Sequence, residues 1–241
     1  MPYTTRAQLL AVDGALVAVA LMLVALVFVA NWFPPIDPAL DAQAIAQLYQ
    51  ENTNRYRFGG LLVAFSAAFF WPFGVAISEQ MKRVEGYRHH PMSSLQLASV
   101  TGTVWAILFP GIIWMVAAYR PDRAPEITQV LNDMGWIIFI GTVSPALIQL
   151  LAIGFCALNQ SKDAPVFPPW FGFFNLWFAT GFLAGTLVPF VTDGPFAWDG
   201  LISFWLAATF FFGWILITWY VVRQCIIQQA ESLPENSGGA L

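Results

Sequence analysis

The residues of this chain that are capable of chemistry are few, and they lie far apart. The only two histidines, His89 and His90, are adjacent in a loop, and neighbouring side chains rarely bind one metal ion without further ligands. No HExxH, CxxC, nucleophile-elbow or phosphate-loop spacing accompanies them. The sequence therefore predicts no catalytic residue and no metal site. It favours a non-catalytic protein over an enzyme, and it identifies no cofactor.

Two amides inside apolar stretches are the strongest candidates for a polar contact with a ligand. Gln149 lies four residues after Pro145, and Asn175 lies in the next apolar stretch. In two antiparallel helices, at about 1.5 Å of rise per residue, both fall at a similar depth and could meet. An amide pair between membrane helices contributes about 0.6–2 kcal/mol to packing. Polar packing is one interpretation, and a hydrogen bond to a ligand is the other.

Aromatic residues are concentrated in the last third of the chain. Between Phe167 and Tyr220 lie 12 of the 22 Phe and 6 of the 11 Trp. A belt at the membrane interface explains some of them, but not those that fall deeper. Deep aromatic side chains suit a hydrophobic ligand, a protein partner, or plain contact with lipid. The predicted ligand-binding residues are Gln149, Asn175, Trp177, Phe178, Trp205 and Trp214.

Asp13 is the only carboxylate clearly inside an apolar stretch, about one helical turn from its edge. A charge at that depth reaches the interface or pairs with a cation, and Arg6 and Arg223 are the expected partners. Pairing is a more conservative interpretation than a proton relay.

Prolines and glycines within the apolar stretches predict kinks and close helix contacts. Pro72, Pro110 and Pro145 each remove a backbone donor and free the carbonyl four residues earlier. For Pro145 that carbonyl belongs to Gly141, and Thr142 or Ser144 is expected to satisfy it. Gly181 and Gly185 form a GxxxG motif, which marks packing within the chain or a dimer face.

The elements that must position these residues are membrane helices. Of 241 residues, 58% are hydrophobic and 10% are charged, against about 25% charged in ordinary soluble domains. About 20 apolar residues cross the hydrocarbon core. Residues 226–241 are polar and are predicted to form a disordered tail. Six stretches form one predicted domain over residues 1–225, at about 9–30, 59–80, 96–118, 135–157, 168–190 and 200–222.

Two loops on the predicted outer side contain amphipathic patterns. In the first, Asp37 and Pro38 predict a helix start. In the second, Pro125 precedes apolar residues at helical spacing. The predicted fold is therefore all-α: a bundle of about six transmembrane helices with two short amphipathic surface helices. The first two hairpins also resemble each other as a weak repeat.

Lys and Arg placement predicts the orientation. Six basic residues fall in segments on the same side of the membrane as the N-terminus, and four fall in loops on the opposite side. The most basic loop runs from Lys82 to Arg88. This bias favours a plasma (inner) membrane protein with both termini in the cytoplasm. A net charge of −4 argues against nucleic acid as a partner. The cations are also too spread along the sequence to predict a patch for anionic lipids.

The leading hypothesis is a non-catalytic membrane subunit or binding protein. The aromatic face of the last two helices would hold a hydrophobic small molecule, a lipid or another membrane subunit. We expect membrane lipids as partners and a homo-oligomer or a membrane complex as the assembly. The alternative is a small oligomeric transporter or channel, which the three prolines and the repeat favour. A third and weaker hypothesis is an intramembrane enzyme acting on a lipophilic substrate.

Overall fold

The computed structural model describes residues 3–232, and all regular structure in that range is helical, which confirms the all-α prediction. Nine α-helices follow one another over those residues: α1 Tyr3–Leu23, α2 Ala42–Glu51, α3 Thr53–Ala68, α4 Phe70–Glu85, α5 Pro91–Tyr119, α6 Pro125–Gly141, α7 Ser144–Leu158, α8 Pro169–Phe182 and α9 Ala207–Ser232.

Six helical stretches in this range are long and apolar enough to cross a membrane, as the sequence predicts. Because the number of crossings is even, both ends of the described chain lie at one face, here called the terminal face; the opposite face is the distal face. Span 6 extends to Ser232, and the rest of the predicted tail lies outside the described residues. Spans 1 to 6 are Tyr3–Val29, Thr53–Glu85, Pro91–Tyr119, Pro125–Leu158, Pro169–Phe190 and Leu201–Ser232.

Two spans are interrupted near mid-membrane, and proline explains both interruptions. Helix α3 ends at Ala68 and helix α6 ends at Gly141. Ala68 and Gly141 each lie four positions before a proline, Pro72 and Pro145. The proline ring clashes with the carbonyl of that residue, and the proline nitrogen has no N–H to donate to it. The Gly141 carbonyl accepts from the backbone N–H of Val143 at 2.9 Å, not from the side chain of Thr142 or Ser144 as expected.

Three other spans change backbone geometry at their distal ends. Turns of π-helix are wider and turns of 3-10 helix are narrower than those of α-helix, and in both the backbone N–H and C=O groups stay hydrogen-bonded within the chain. Span 3, in contrast, accommodates Pro110 inside the continuous helix α5. Span 1 ends in the π-helical segment Val24–Val29, span 5 ends in the 3-10 segment Leu183–Phe190, and span 6 begins with the π-helical segment Leu201–Leu206.

The amphipathic loop patterns are both helical, but only the first is a separate surface helix. Helix α2 begins after Asp41, whose carboxylate accepts from the Ala44 N–H at 2.8 Å. Asp37, the predicted cap, instead closes the preceding turn by accepting from Ala39. The second pattern runs without a break into α6, because a continuous helix keeps the backbone bonded as the chain enters lipid.

Helix α5 is the centre of the bundle and packs against α3, α4, α6 and α7. Its closest approach is to α3, where Gly60 and Gly111 face each other. A Cβ on Gly111 would lie 2.6 Å from the Gly60 carbonyl oxygen and 2.8 Å from the Ala64 nitrogen. Small residues are therefore required for the two backbones to touch.

The glycine contact generates a stability prediction. We expect Gly111→Ala to destabilise the protein by about 1–3 kcal/mol, because the methyl group meets backbone atoms that cannot rotate away. Thermal unfolding in detergent measures the effect. Gly213→Ala is the matched control, since its Cβ would meet only the Phe178 ring, at 3.7 Å. Equal unfolding temperatures for Gly111→Ala and Gly213→Ala would contradict the close packing of α3 on α5.

Candidate functional site

An apolar cavity of about 100 Å³ lies between the middle and the distal end of the bundle. Residues of spans 1, 3, 4, 5 and 6 line it, so the cavity lies between the spans. The described residues that line it include no ionisable side chain, and its polar side chains are the hydroxyls of Thr103, Thr142 and Ser203. Six phenylalanines form much of the wall: Phe33, Phe139, Phe182, Phe204, Phe211 and Phe212.

Irregular backbone surrounds the cavity. Thr142 and Val143 line it at the interruption of span 4, and Ser203 and Phe204 line it from the π-helical start of span 6. Non-helical backbone at membrane depth is tolerated where protein buries it or where it lines a cavity. The interruption at Pro145 is therefore the local sequence feature that shapes the wall.

Glycines of span 5 hold the interrupted span 4 in place. A Cβ on Gly185 would lie 2.5 Å from the Ile140 carbonyl oxygen, so the 3-10 segment approaches the end of α6 at backbone contact. A Cβ on Gly181 would collide with the Phe210 ring of span 6. Both glycines of the GxxxG motif thus serve packing within the chain.

Two loops lie at the distal side of the bundle, and the first contributes Phe33 to the cavity wall. We call residues 31–41 and 193–200 the distal cap. The Trp198 indole donates to the Ile36 carbonyl at 2.7 Å and joins the two parts of the cap. The Ser203 hydroxyl lies 2.9 Å from the Phe196 carbonyl, with which it hydrogen-bonds, and this ties the cap to span 6. Gly200 has no room for a Cβ, because the Gly194 and Pro195 carbonyls lie directly against it.

The distal cap also gathers carboxylates. Burial raises the pKa of Asp199 above its ordinary value, and the neighbouring Asp37 and Asp193 carboxylates raise it further, against a backbone hydrogen bond that lowers it. Within residues 3–232, no group of three or more His, Cys, Asp or Glu is arranged to hold a metal ion.

Gln149 adjoins the cavity without lining it. Its side chain is buried, and its amide oxygen lies 3.3 Å from the Thr103 hydroxyl, which is part of the cavity wall. Gln149 is therefore positioned behind Thr103, whose hydroxyl has two acceptors at 3.3 Å, the Gln149 amide oxygen and the Ser99 carbonyl.

Asn175 bonds to an aromatic residue of span 6, not to Gln149. Its amide oxygen accepts from the Trp214 indole at 2.8 Å, and its amide nitrogen donates to the Phe171 carbonyl at 2.8 Å. Both Asn175 and Trp214 are buried. The expected meeting of the two amides does not occur, because each has a different partner, and Asn175 joins spans 5 and 6 as polar packing.

The other predicted aromatic residues lie outside the cavity. Phe178 packs between Phe174 and Phe210, with ring centroids 4.1 Å and 4.7 Å away. Trp177 is 62% exposed on the outer surface of span 5. Trp205 contacts the ring of Phe33, at 4.9 Å between centroids. A role in ligand binding stays a prediction for all six residues.

Sequence reasoning missed most of the cavity wall. Phe33 and Phe139 come from a loop and from span 4, away from the aromatic third of the chain. Phe211 and Phe212 belong to a run of aromatics that surrounds span 6, and the sequence does not indicate which of them face inward. The useful signal was Pro145, because a kink makes room for a pocket.

A second concave region, of about 540 Å³, lies at the terminal face. We call it the terminal crevice; it is polar and is lined from spans 1, 2 and 6 and the loop between spans 2 and 3. Nearby, Asp13 pairs with Arg223 at 3.5 Å, one of its two expected partners, and accepts from the Trp219 indole at 2.8 Å. The lining residues are Gln8, Glu79, Lys82, Arg83, Gly86, Tyr87, His90 and Gln229.

Comparison of the chain with protein-family models, with curated proteins and with solved structures finds no match.

Proposed function

We propose that this integral membrane protein binds a small hydrophobic molecule, or the end of a lipid chain, in the cavity between its spans. The observation that carries the proposal is the wall itself, which combines six phenylalanines with three hydroxyls and has no ionisable group among the described lining residues. Ligand sites in proteins are typically apolar pockets with a few polar groups that fix orientation. A wall without an acid, a base or a nucleophilic thiol suits binding better than catalysis.

The size of the cavity limits the ligand. Typical pockets for drug-sized ligands measure about 300–1,000 Å³, whereas this cavity measures about 100 Å³. Engineered apolar cavities of roughly 150 Å³ stay dry and bind benzene. The proposed ligand is therefore a single ring or a short chain segment. The Thr103 hydroxyl, which donates to Gln149 or Ser99, is the proposed acceptor for a polar group of the ligand.

The outer aromatic surface supports a second part of the proposal, an assembly in the membrane. In the most apolar window of span 6 only 28% of residues are buried, compared with 56% in span 2. Trp177 and Phe173 are also exposed on span 5. We propose that spans 5 and 6 contact lipid or a second membrane subunit through this surface.

A transporter remains the alternative, and one observation favours it. Spans 2 and 4 are both interrupted four residues before a proline, in the corresponding halves of the two hairpins that resemble each other. Paired discontinuous helices near the midplane are typical of binding sites in secondary transporters. Flux of the bound molecule into proteoliposomes would favour transport over storage or accessory binding.

We further propose that both termini are cytoplasmic, as the Lys and Arg bias indicates. In intact cells, a membrane-impermeant maleimide should label Asp122→Cys in a distal loop but should label Ser232→Cys only after permeabilisation. The native Cys156 and Cys225 are buried and should give little background. The reverse labelling pattern would invert the orientation.

Filling the cavity tests the binding proposal. Ala208 lines the cavity, whereas Ala20 lies on the exposed side of span 1. We expect Ala208→Phe to lower the amount of hydrophobic small molecule that co-purifies with the protein by about tenfold or more, because the added ring occupies the site. Organic extraction of protein from its own membrane, followed by mass spectrometry, measures the retained molecules.

Ala20→Phe adds the same ring on the lipid side and should leave retention unchanged. Thermal unfolding of both variants checks that they fold. The binding proposal fails if Ala208→Phe folds and retains the same small molecules as the original protein and Ala20→Phe.

A further inference from the structure

The terminal crevice lies far from the cavity, and the proposed function does not use it. It opens at the terminal face, where spans 1 and 3 begin and spans 2 and 6 end. This is the depth at which lipid headgroups lie. At about 540 Å³ it is larger than the cavity. Its described lining residues include two cations, Lys82 and Arg83, beside a single carboxylate, Glu79.

A fully buried amide organises the crevice. Gln80 is 0% exposed and joins side chains from three spans. Its amide nitrogen donates to Gln8 at 2.8 Å and to Gln229 at 3.2 Å, and its amide oxygen accepts from the Arg83 guanidinium at 2.5 Å. The guanidinium is therefore held in place before any ligand arrives, which reduces the entropy cost of binding.

The charges of the crevice leave one cation uncompensated. Lys82 pairs with Glu79 at 2.6 Å. The nearby Glu85 carboxylate is committed to the start of α5, where it accepts from the Met92 and Ser93 N–H groups at 2.7 Å and 3.0 Å. Arg83 donates to Gln80 and to the Cys225 carbonyl, and over residues 3–232 it has no carboxylate within ion-pair distance.

His90 supplies a second unmatched polar group. It lines the crevice at the residue that precedes α5. Its Nδ1 is buried and has no hydrogen-bond partner among the described residues. A buried ring nitrogen without a partner is costly, so the residue before α5 carries an unsatisfied polar group beside the crevice.

We propose that the terminal crevice binds the phosphate of a phospholipid headgroup from the leaflet at the terminal face. Arg83, the cation without a carboxylate partner, matches phosphate geometry with paired donors, and the Lys82 ammonium, which is paired with Glu79, adds positive charge beside it. The location favours a lipid, because the crevice lies at the terminal ends of spans 1, 2 and 6, the level at which phospholipid headgroups lie. Lys82 and Arg83 are neighbours near the end of α4, and the fold sets them against Gln8 of span 1 and Gln229 of span 6 in the crevice wall.

Native mass spectrometry of delipidated full-length protein with added phosphatidylglycerol tests this site. We expect Arg83→Gln to weaken lipid binding by about tenfold, the effect of losing one charge-assisted hydrogen bond, and Lys82→Gln to weaken it by about threefold, because Lys82 is already paired with Glu79. Arg88→Gln is the matched control, since Arg88 is an exposed cation in the loop that follows α4 and does not line the crevice. Its binding should equal that of the original protein.

Thermal unfolding identifies any variant that does not fold. If Arg83→Gln fails to fold because Gln80 loses its partner, Lys82→Gln decides alone. Unchanged lipid binding in the folded variants overturns the proposal, as does an equal loss in Arg88→Gln, which would indicate general surface charge. Inorganic phosphate that binds alone and displaces the lipid would make free phosphate the ligand and overturn the lipid source. None of these outcomes bears on the cavity, so the two proposals fail separately.

Discussion

Every backbone N–H and C=O of a chain in lipid needs a partner inside the protein, and this requirement organises the whole molecule. Pro72 and Pro145 each remove one donor near mid-membrane, and the helices end at the carbonyls so released. The chain then re-forms its bonds in tighter or wider turns. The Val143 N–H, for example, donates to Gly141 at 2.9 Å. The interruption makes the cavity, and packing around it follows from the same requirement.

Glycines allow the closest backbone contacts, and aromatic side chains fill the wider gaps between helices. Where backbones must touch, glycines face each other or face a carbonyl, as Gly60 and Gly111 do between spans 2 and 3 and Gly185 does beside Ile140. Where interrupted helices leave space, large rings fill it. Trp32, Trp114 and Trp136 are fully buried near the distal face, and their ring centroids lie within 4.6–5.9 Å of one another. Phe139, which lines the cavity, packs against Trp114 and Trp136 and connects this cluster to the cavity wall.

Much of the fold could be predicted from the sequence, because apolar length and proline position act locally. The six spans and the release of the Gly141 carbonyl follow from nearest-neighbour chemistry. Which side chains hydrogen-bond between spans does not follow from such local chemistry. Asn175 was placed at the depth of Gln149 and yet bonds to Trp214, because helix rotation and not depth alone decides which side chains face each other. The inward rotation of Phe211 and the approach of Phe33 from a loop likewise depend on long-range packing.

The interruption of span 4 is the central claim, and backbone torsion angles measured by solid-state NMR in lipid bilayers test it most directly. The account predicts helical shifts through Gly141, a departure at Thr142 with φ near −79° and ψ near 71°, and helical values again from Val143 onward. Uniform helical values, with ψ about −42°, from Ile138 through Leu147 would contradict it. In that case span 4 would be a continuous helix, and no interruption would shape the cavity wall.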